Sequence, residues 1–127
     1  MKQITKDMLK IYKPLSGLDW MNYRIVRKNM TFHHIVKKSD GGLEIVRNGA
    51  LLMSRPHEYL HIIENSDLDI YMAINEIFSY INKQRHEPTM EQRQIIECLL
   101  RSFEEEHIKD KTSKGKILIK PYYLDRW

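Results

Sequence analysis

Between residues 30 and 64 the chain reads as strand, glycine turn, strand and helix, and this stretch carries four of its six histidines. Met30 to Val36 is rich in β-branched and aromatic residues, which favours an extended segment. Ser39-Asp40-Gly41-Gly42 is a turn signal, because glycine takes positive φ without a steric penalty. Ile45 to Met53 resumes the extended pattern, interrupted at Asn48-Gly49 by a second turn or bulge signal. Ser54 then reads as a helix N-cap with Pro56 in the first turn, ahead of a helix over about Arg55 to Glu64. His33 and His34 are neighbours on the first strand, so their rings point to opposite faces, and both can border one site if the strand lies along its edge. His57 and His61 stand four apart on the helix, separated by roughly 6 Å along the axis and on one face. Such a pair is a good chelate for a divalent ion, since each imidazole can present a nitrogen to a common point.

The rest of the composition bounds the setting. A chain of 127 residues, 42% hydrophobic and 30% charged, is sized for one domain with a real core and is too short for two. No run approaches the roughly 18 apolar residues of a membrane span, and the start, MKQITKDMLK, is too polar for a secretory signal. A cytoplasmic protein with no membrane partner is therefore expected. The single Cys98 excludes an intramolecular disulfide framework and any multi-cysteine zinc site, and reads as a small apolar residue beside a buried stripe. The net charge of +4 is sorted along the chain: residues 1–55 carry eleven Lys/Arg against four Asp/Glu, residues 56–108 four against eleven, and residues 109–127 six against two. A basic first half either attracts a polyanion through counterion release or is plain solvated surface.

Outside the histidine-bearing stretch, residues 1–29 read as a basic leader with one brief helix through Met8, Leu9, Ile11 and Tyr12, ended by Pro14 and Gly17. Residues 66–108 read as helical support. Asn65-Ser66-Asp67 breaks one helix and caps the next, whose stripe is Leu68, Met72, Ile74, Ile77, Phe78 and Ile81, ended by Pro88. Thr89 and Gln92 form a capping box for a further helix striped by Ile95, Ile96, Leu99, Leu100 and Phe103. His86, His107 and Glu104-Glu105-Glu106 read as solvated surface. Residues 109–127 form a basic tail, with Ile117-Leu118-Ile119 as a short strand.

Phe32-His33-His34-Ile35, Asp40-Gly41-Gly42, Asn48-Gly49-Ala50-Leu51-Leu52 and His57-Glu58-Tyr59-Leu60-His61 together resemble the HNH, or ββα-metal, endonuclease motif. The chain is most similar to the histidine-rich variant found in the bacteriocin DNases called colicins. It lacks the two CxxC pairs that bind a structural zinc in many HNH proteins, so the small unit must be propped by other packing, for which the helices after residue 66 are the candidates. The resemblance implies an α+β fold in which a ββα-metal motif over 30–64 packs on two longer C-terminal helices. It implies His33, His57 and His61 as ligands of one divalent metal ion, His34 as the general base, and Asn48 as the residue that ties the loop and orients His34. An imidazole, titrating at roughly 6.5 in model peptides, suits a base at physiological pH. The implied reaction is hydrolysis of a DNA phosphodiester, double-stranded DNA foremost, leaving a 5′-phosphate and a 3′-hydroxyl.

Among ions, imidazole donors suit Zn²⁺, Ni²⁺ or Co²⁺ better than hard Mg²⁺, which prefers oxygen ligands, and the natural ion stays open among Zn²⁺, Ni²⁺, Mn²⁺ and Mg²⁺. Lys37, Lys38, Arg47 and Arg55 flank the expected site and are candidates to grip phosphates. Arg24, Arg27 and Lys28 are weaker candidates. A phage or mobile-element setting, and a protein partner or homodimer supplying specificity, fit a nuclease this small. Two other classes stay open from the residues alone: a non-catalytic nucleic-acid-binding module whose histidines hold a structural metal, and an RNA-cleaving or toxin-like nuclease.

Overall fold

The structure is a computed structural model and describes residues 1–109. Within them the chain is α+β, with four α-helices and a two-stranded antiparallel sheet. Helix α1 spans Gln3–Tyr12, β1 Met30–His34, β2 Gly49–Met53, α2 Ser54–Ser66, α3 Leu68–Gln84 and α4 Met90–Lys109. The strands pair with Met30 opposite Met53 and His34 opposite Gly49. The expected strand at Ile117-Leu118-Ile119 and most of the basic tail lie outside the described residues.

The strands are shorter than the sequence suggests. Asn48-Gly49 does not close a tight hairpin: Val46–Asn48 is a turn of 3₁₀ helix, and β2 begins at Gly49. The loop between the strands is instead folded on itself by Asn48. Its Nδ2 donates to the carbonyls of Val36 (3.0 Å) and Leu43 (2.9 Å), and its Oδ1 accepts from the Val36 N–H at 2.8 Å. Gly41 sits at φ +88°, a conformation that favours glycine, and a Cβ at Gly42 would lie 1.8 Å from the Val36 carbonyl oxygen, so the backbone there leaves no room for a side chain.

Ser54 is the first residue of α2 rather than its cap. The position before it is Met53, whose side chain makes no capping bond, because the chain passes directly from β2 into the helix. Asp67 does cap α3, accepting from the Ile70 N–H at 3.2 Å. The capping box before α4 also forms: the Gln92 side chain accepts from the Thr89 N–H at 2.9 Å, and the Thr89 hydroxyl accepts from the Gln92 N–H at 3.2 Å. α3 stops at Gln84, where Arg85 turns into the left-handed region at φ 62°, three residues before Pro88.

The buried face of α3 is Tyr71, Ile74, Asn75, Phe78, Ile81 and Asn82; Leu68 and Met72, expected in the stripe, are exposed. On α4, Ile96, Leu100 and Phe103 are buried while Ile95 and Cys98 are exposed. Glu104 is not on a solvated face, because its carboxylate accepts from the Tyr59 hydroxyl at 3.0 Å in the core. His107 is partly buried, stacked 4.5 Å from the Phe103 ring, with Nε2 3.0 Å from the Asp67 carboxylate.

Residues 1–29 form part of the core. Met8, Tyr12, Trp20 and Met21 are all buried, and Trp20 stacks edge-on between Tyr12 and Phe78. The aperiodic segment is held by Asp19, whose buried carboxylate accepts from the N–H groups of Met21 (2.9 Å), Tyr23 (2.8 Å) and Met53 (2.8 Å). Arg93 on α4 completes the tie by donating to the Asp19 carbonyl at 2.7 Å and pairing with Glu87 at 3.0 Å. The helices thus supply the packing that a small β-ribbon cannot provide alone.

Candidate metal centre

β1 and α2 bring three histidines together. On β1 the period of two places Thr31 and His33 on one face and Phe32 and His34 on the other. On α2 the spacing of four puts His57 and His61 side by side, with ring centroids 5.0 Å apart. The His33 ring lies 5.2 Å from that of His57 and 6.2 Å from that of His61. One nitrogen from each of the three lies within 4.8 Å of the others, close enough for one ion to bridge them.

The site is graded from inside to outside. His33 is buried, His57 partly so, and the His61 side chain is 52% exposed. A group of three imidazoles with one exposed member has an open side, which a metal centre needs if it is to hold water or an anion as well. Burial pushes the His33 pKa down to about 3, with the nearby imidazoles adding to the shift and a hydrogen bond to Asn75 opposing it. Burial, then the charges of His61 and His34, likewise lower His57 to about 4. Both rings are therefore neutral at pH 7, the state a metal ligand must have.

Neighbouring groups orient the rings. The Thr31 hydroxyl donates to the Leu52 carbonyl at 2.7 Å, so its single proton is used. The His57 Nδ1, 2.8 Å from the same oxygen, must then be the donor, which leaves Nε2 with the lone pair. The His61 Nδ1 lies 3.2 Å from the Glu64 carboxylate, which can only accept, and Nε2 is again free. The same Glu64 forms an ion pair with Lys37. His33 reaches across to α3, with Nε2 2.8 Å from Asn75 Oδ1.

His34 projects to the opposite face of β1, edge-on to Phe32 with centroids 4.9 Å apart. Among the described residues its ring nitrogens have no hydrogen-bond partner, and its charge is felt at both His33 and His57. Asn48 ties the loop that follows His34: its Oδ1 and Nδ2 bond Val36, and its backbone carbonyl accepts from Ile35 at 2.9 Å. Of the basic residues expected around the site, Lys38 and Arg47 are exposed, whereas Lys37 is committed to Glu64 and Arg55 donates to the Tyr23 hydroxyl at 2.9 Å. Arg24, Arg27 and Lys28 are exposed.

Three residues of the site lie outside the sequence expectation. Thr31 and Glu64 carry a local signal, since they stand two before His33 on the strand and three after His61 on the helix. Asn75 carries only a weak one, as a polar residue within the apolar stripe of a helix 42 positions away.

No helix among the described residues is long and apolar enough to cross a membrane. No protein-family model matches the chain, and neither the curated proteins nor the solved structures contain a match to it.

Proposed function

We propose that the chain is a metal-dependent endonuclease that hydrolyses DNA phosphodiester bonds. In this reading residues 30–64 are a ββα-metal unit, braced by α3 and α4. The observation that carries it is the convergence of His33, His57 and His61, with their nitrogens within 4.8 Å of one another, and the imidazole of His34, next to His33 in the chain and on the other face of β1, left without a hydrogen-bond partner among the described residues. The donor set fits a borderline ion such as Zn²⁺ or Ni²⁺ better than Mg²⁺ or Mn²⁺. When bound, the ion supplies charge neutralisation at the phosphate and at the leaving oxygen.

The chain's own residues do the rest. His34 takes the proton of the attacking water at an unoccupied ring nitrogen. Asn48 holds the backbone after His34 in place, so the base does not have to be positioned at the moment of reaction. Lys38 and Arg47, exposed on the loop between the strands, contact flanking phosphates and position the duplex without reading its sequence. A closed, purely structural metal site is the poorer reading, because the His61 side chain is 52% exposed and the group has three ligands.

The test is incubation with supercoiled plasmid in Zn²⁺, Ni²⁺, Mn²⁺ or Mg²⁺. The parent chain nicks or linearises the plasmid, and His34→Ala loses at least about a hundredfold while still binding Zn²⁺. Equal cutting by the two proteins, or none by the parent in any ion, refutes the reading.

A further inference from the structure

Asn75 lies on α3, outside the strand-strand-helix unit that carries all three histidines. It is 7% exposed, and its side chain has two partners. Nδ2 is 3.1 Å from the Tyr71 backbone carbonyl and Oδ1 is 2.8 Å from His33 Nε2. The first contact fixes the orientation of the amide. A carbonyl can only accept, so the NH₂ group must face Tyr71, and the oxygen must face the imidazole. That oxygen has no proton to give. His33 is therefore the donor through Nε2–H, and a neutral ring with its proton on Nε2 carries its lone pair on Nδ1.

We infer that Asn75 is a positioning residue that selects the Nε2–H tautomer of His33 and so presents Nδ1 as its ligand atom. The inference rests on the reading of the three histidines as a metal centre. It adds that the centre is completed from α3: β1 supplies the ring, and α3 decides which nitrogen faces the ion. The same helix also grips the sheet two turns later, where Asn82 donates to the Val46 and Gly49 carbonyls, both at 2.7 Å. Asn75 is thus held on a helix anchored at both β1 and the start of β2. Outer partners of this kind fix ring orientation as well as tautomer.

The experiment reads the ring directly, in metal-free protein with no nucleic acid present. Long-range ¹H–¹⁵N NMR of His33 reports the protonated nitrogen, and calorimetry with Zn²⁺ alone reports affinity. The wild type shows Nε2–H. Asn75→Leu, which has no acceptor, populates the Nδ1–H form and binds Zn²⁺ about 10- to 100-fold more weakly. Asn75→Asp keeps an acceptor at the same place, keeps Nε2–H, and holds affinity within a few-fold; it carries the test if the leucine variant does not fold. A proton on Nδ1 in the wild type, loss of Nε2–H in Asn75→Asp, or unchanged tautomer and affinity in Asn75→Leu overturns the inference. Failure of plasmid cleavage alone leaves it standing, because neither readout involves DNA.

Discussion

The Thr31 hydroxyl oxygen lies 2.8 Å from Nδ1 of His57, joining the first strand to the helix that follows the second. The contact matters because the hydroxyl has spent its proton on Leu52, so the histidine must donate. Thr31→Val keeps the shape and removes the acceptor. Zn²⁺ affinity falls about 10- to 100-fold in calorimetry, the usual scale for losing such a partner, while Thr31→Ser restores most of it. Equal affinity in the valine variant would show that His57 needs no help to present Nε2.

The loop between the strands behaves as one unit. Asn48 bonds the Val36 carbonyl, and a Cβ at Gly42 would meet that same oxygen at 1.8 Å. The carbonyl cannot retreat without breaking the bond to Asn48. Asn48→Ala is expected to cost about 1–3 kcal/mol in urea unfolding, and Gly42→Ala about 2 kcal/mol or more. Because both act on one structure, the double variant loses less than the sum. Strict additivity would mean that the two residues act independently.

Asp19 gives the fold a pH signature. Desolvation by burial pushes its carboxyl from 3.8 up to about 6, against the pull of three backbone N–H groups and Arg93. The folded value is above the ordinary one, so the native state holds the proton more tightly. The stability this contributes is complete below about pH 3.8 and is lost as the pH rises through about 6. His33 and His57 act in the opposite sense. Their folded values near 3 and 4 lie below 6.5, so their contribution is present above 6.5 and lost as the pH falls through 4 and 3. Titration by ¹³C NMR of the Asp19 carboxyl separates the effects: a midpoint near 6 is expected, and one below 4 would contradict the account of its burial.

How much of this could be read from the sequence follows from the range of each interaction. The faces of His33, His57 and His61 are fixed by periods of two and 3.6, which are local, and the structure brings those three rings together. The helix caps at Asp67 and Thr89 are local too. Asn75 was out of reach because its partner is 42 positions away. A stripe counted on apolar residues alone finds Ile74, Phe78 and Ile81, which are buried, but adds the exposed Leu68 and Met72 and misses Tyr71, Asn75 and Asn82. The first 29 residues have little periodicity, yet Tyr12, Trp20 and Met21 are buried because Asp19 and Arg93 hold the segment against the core. Glu104 looks solvated in a run of three glutamates, yet it is buried, and the Tyr59 hydroxyl opposite it donates to its carboxylate.

The most direct test of the central claim is X-ray absorption at the zinc K-edge on protein loaded with one equivalent of Zn²⁺. Three imidazole nitrogens at about 2.0–2.1 Å, with the remaining coordination from oxygen, is the predicted shell. In His57→Ala the imidazole count falls to two. Four imidazoles in the parent, which would place His34 on the ion and remove it as a base, or a shell unchanged in His57→Ala, would contradict it.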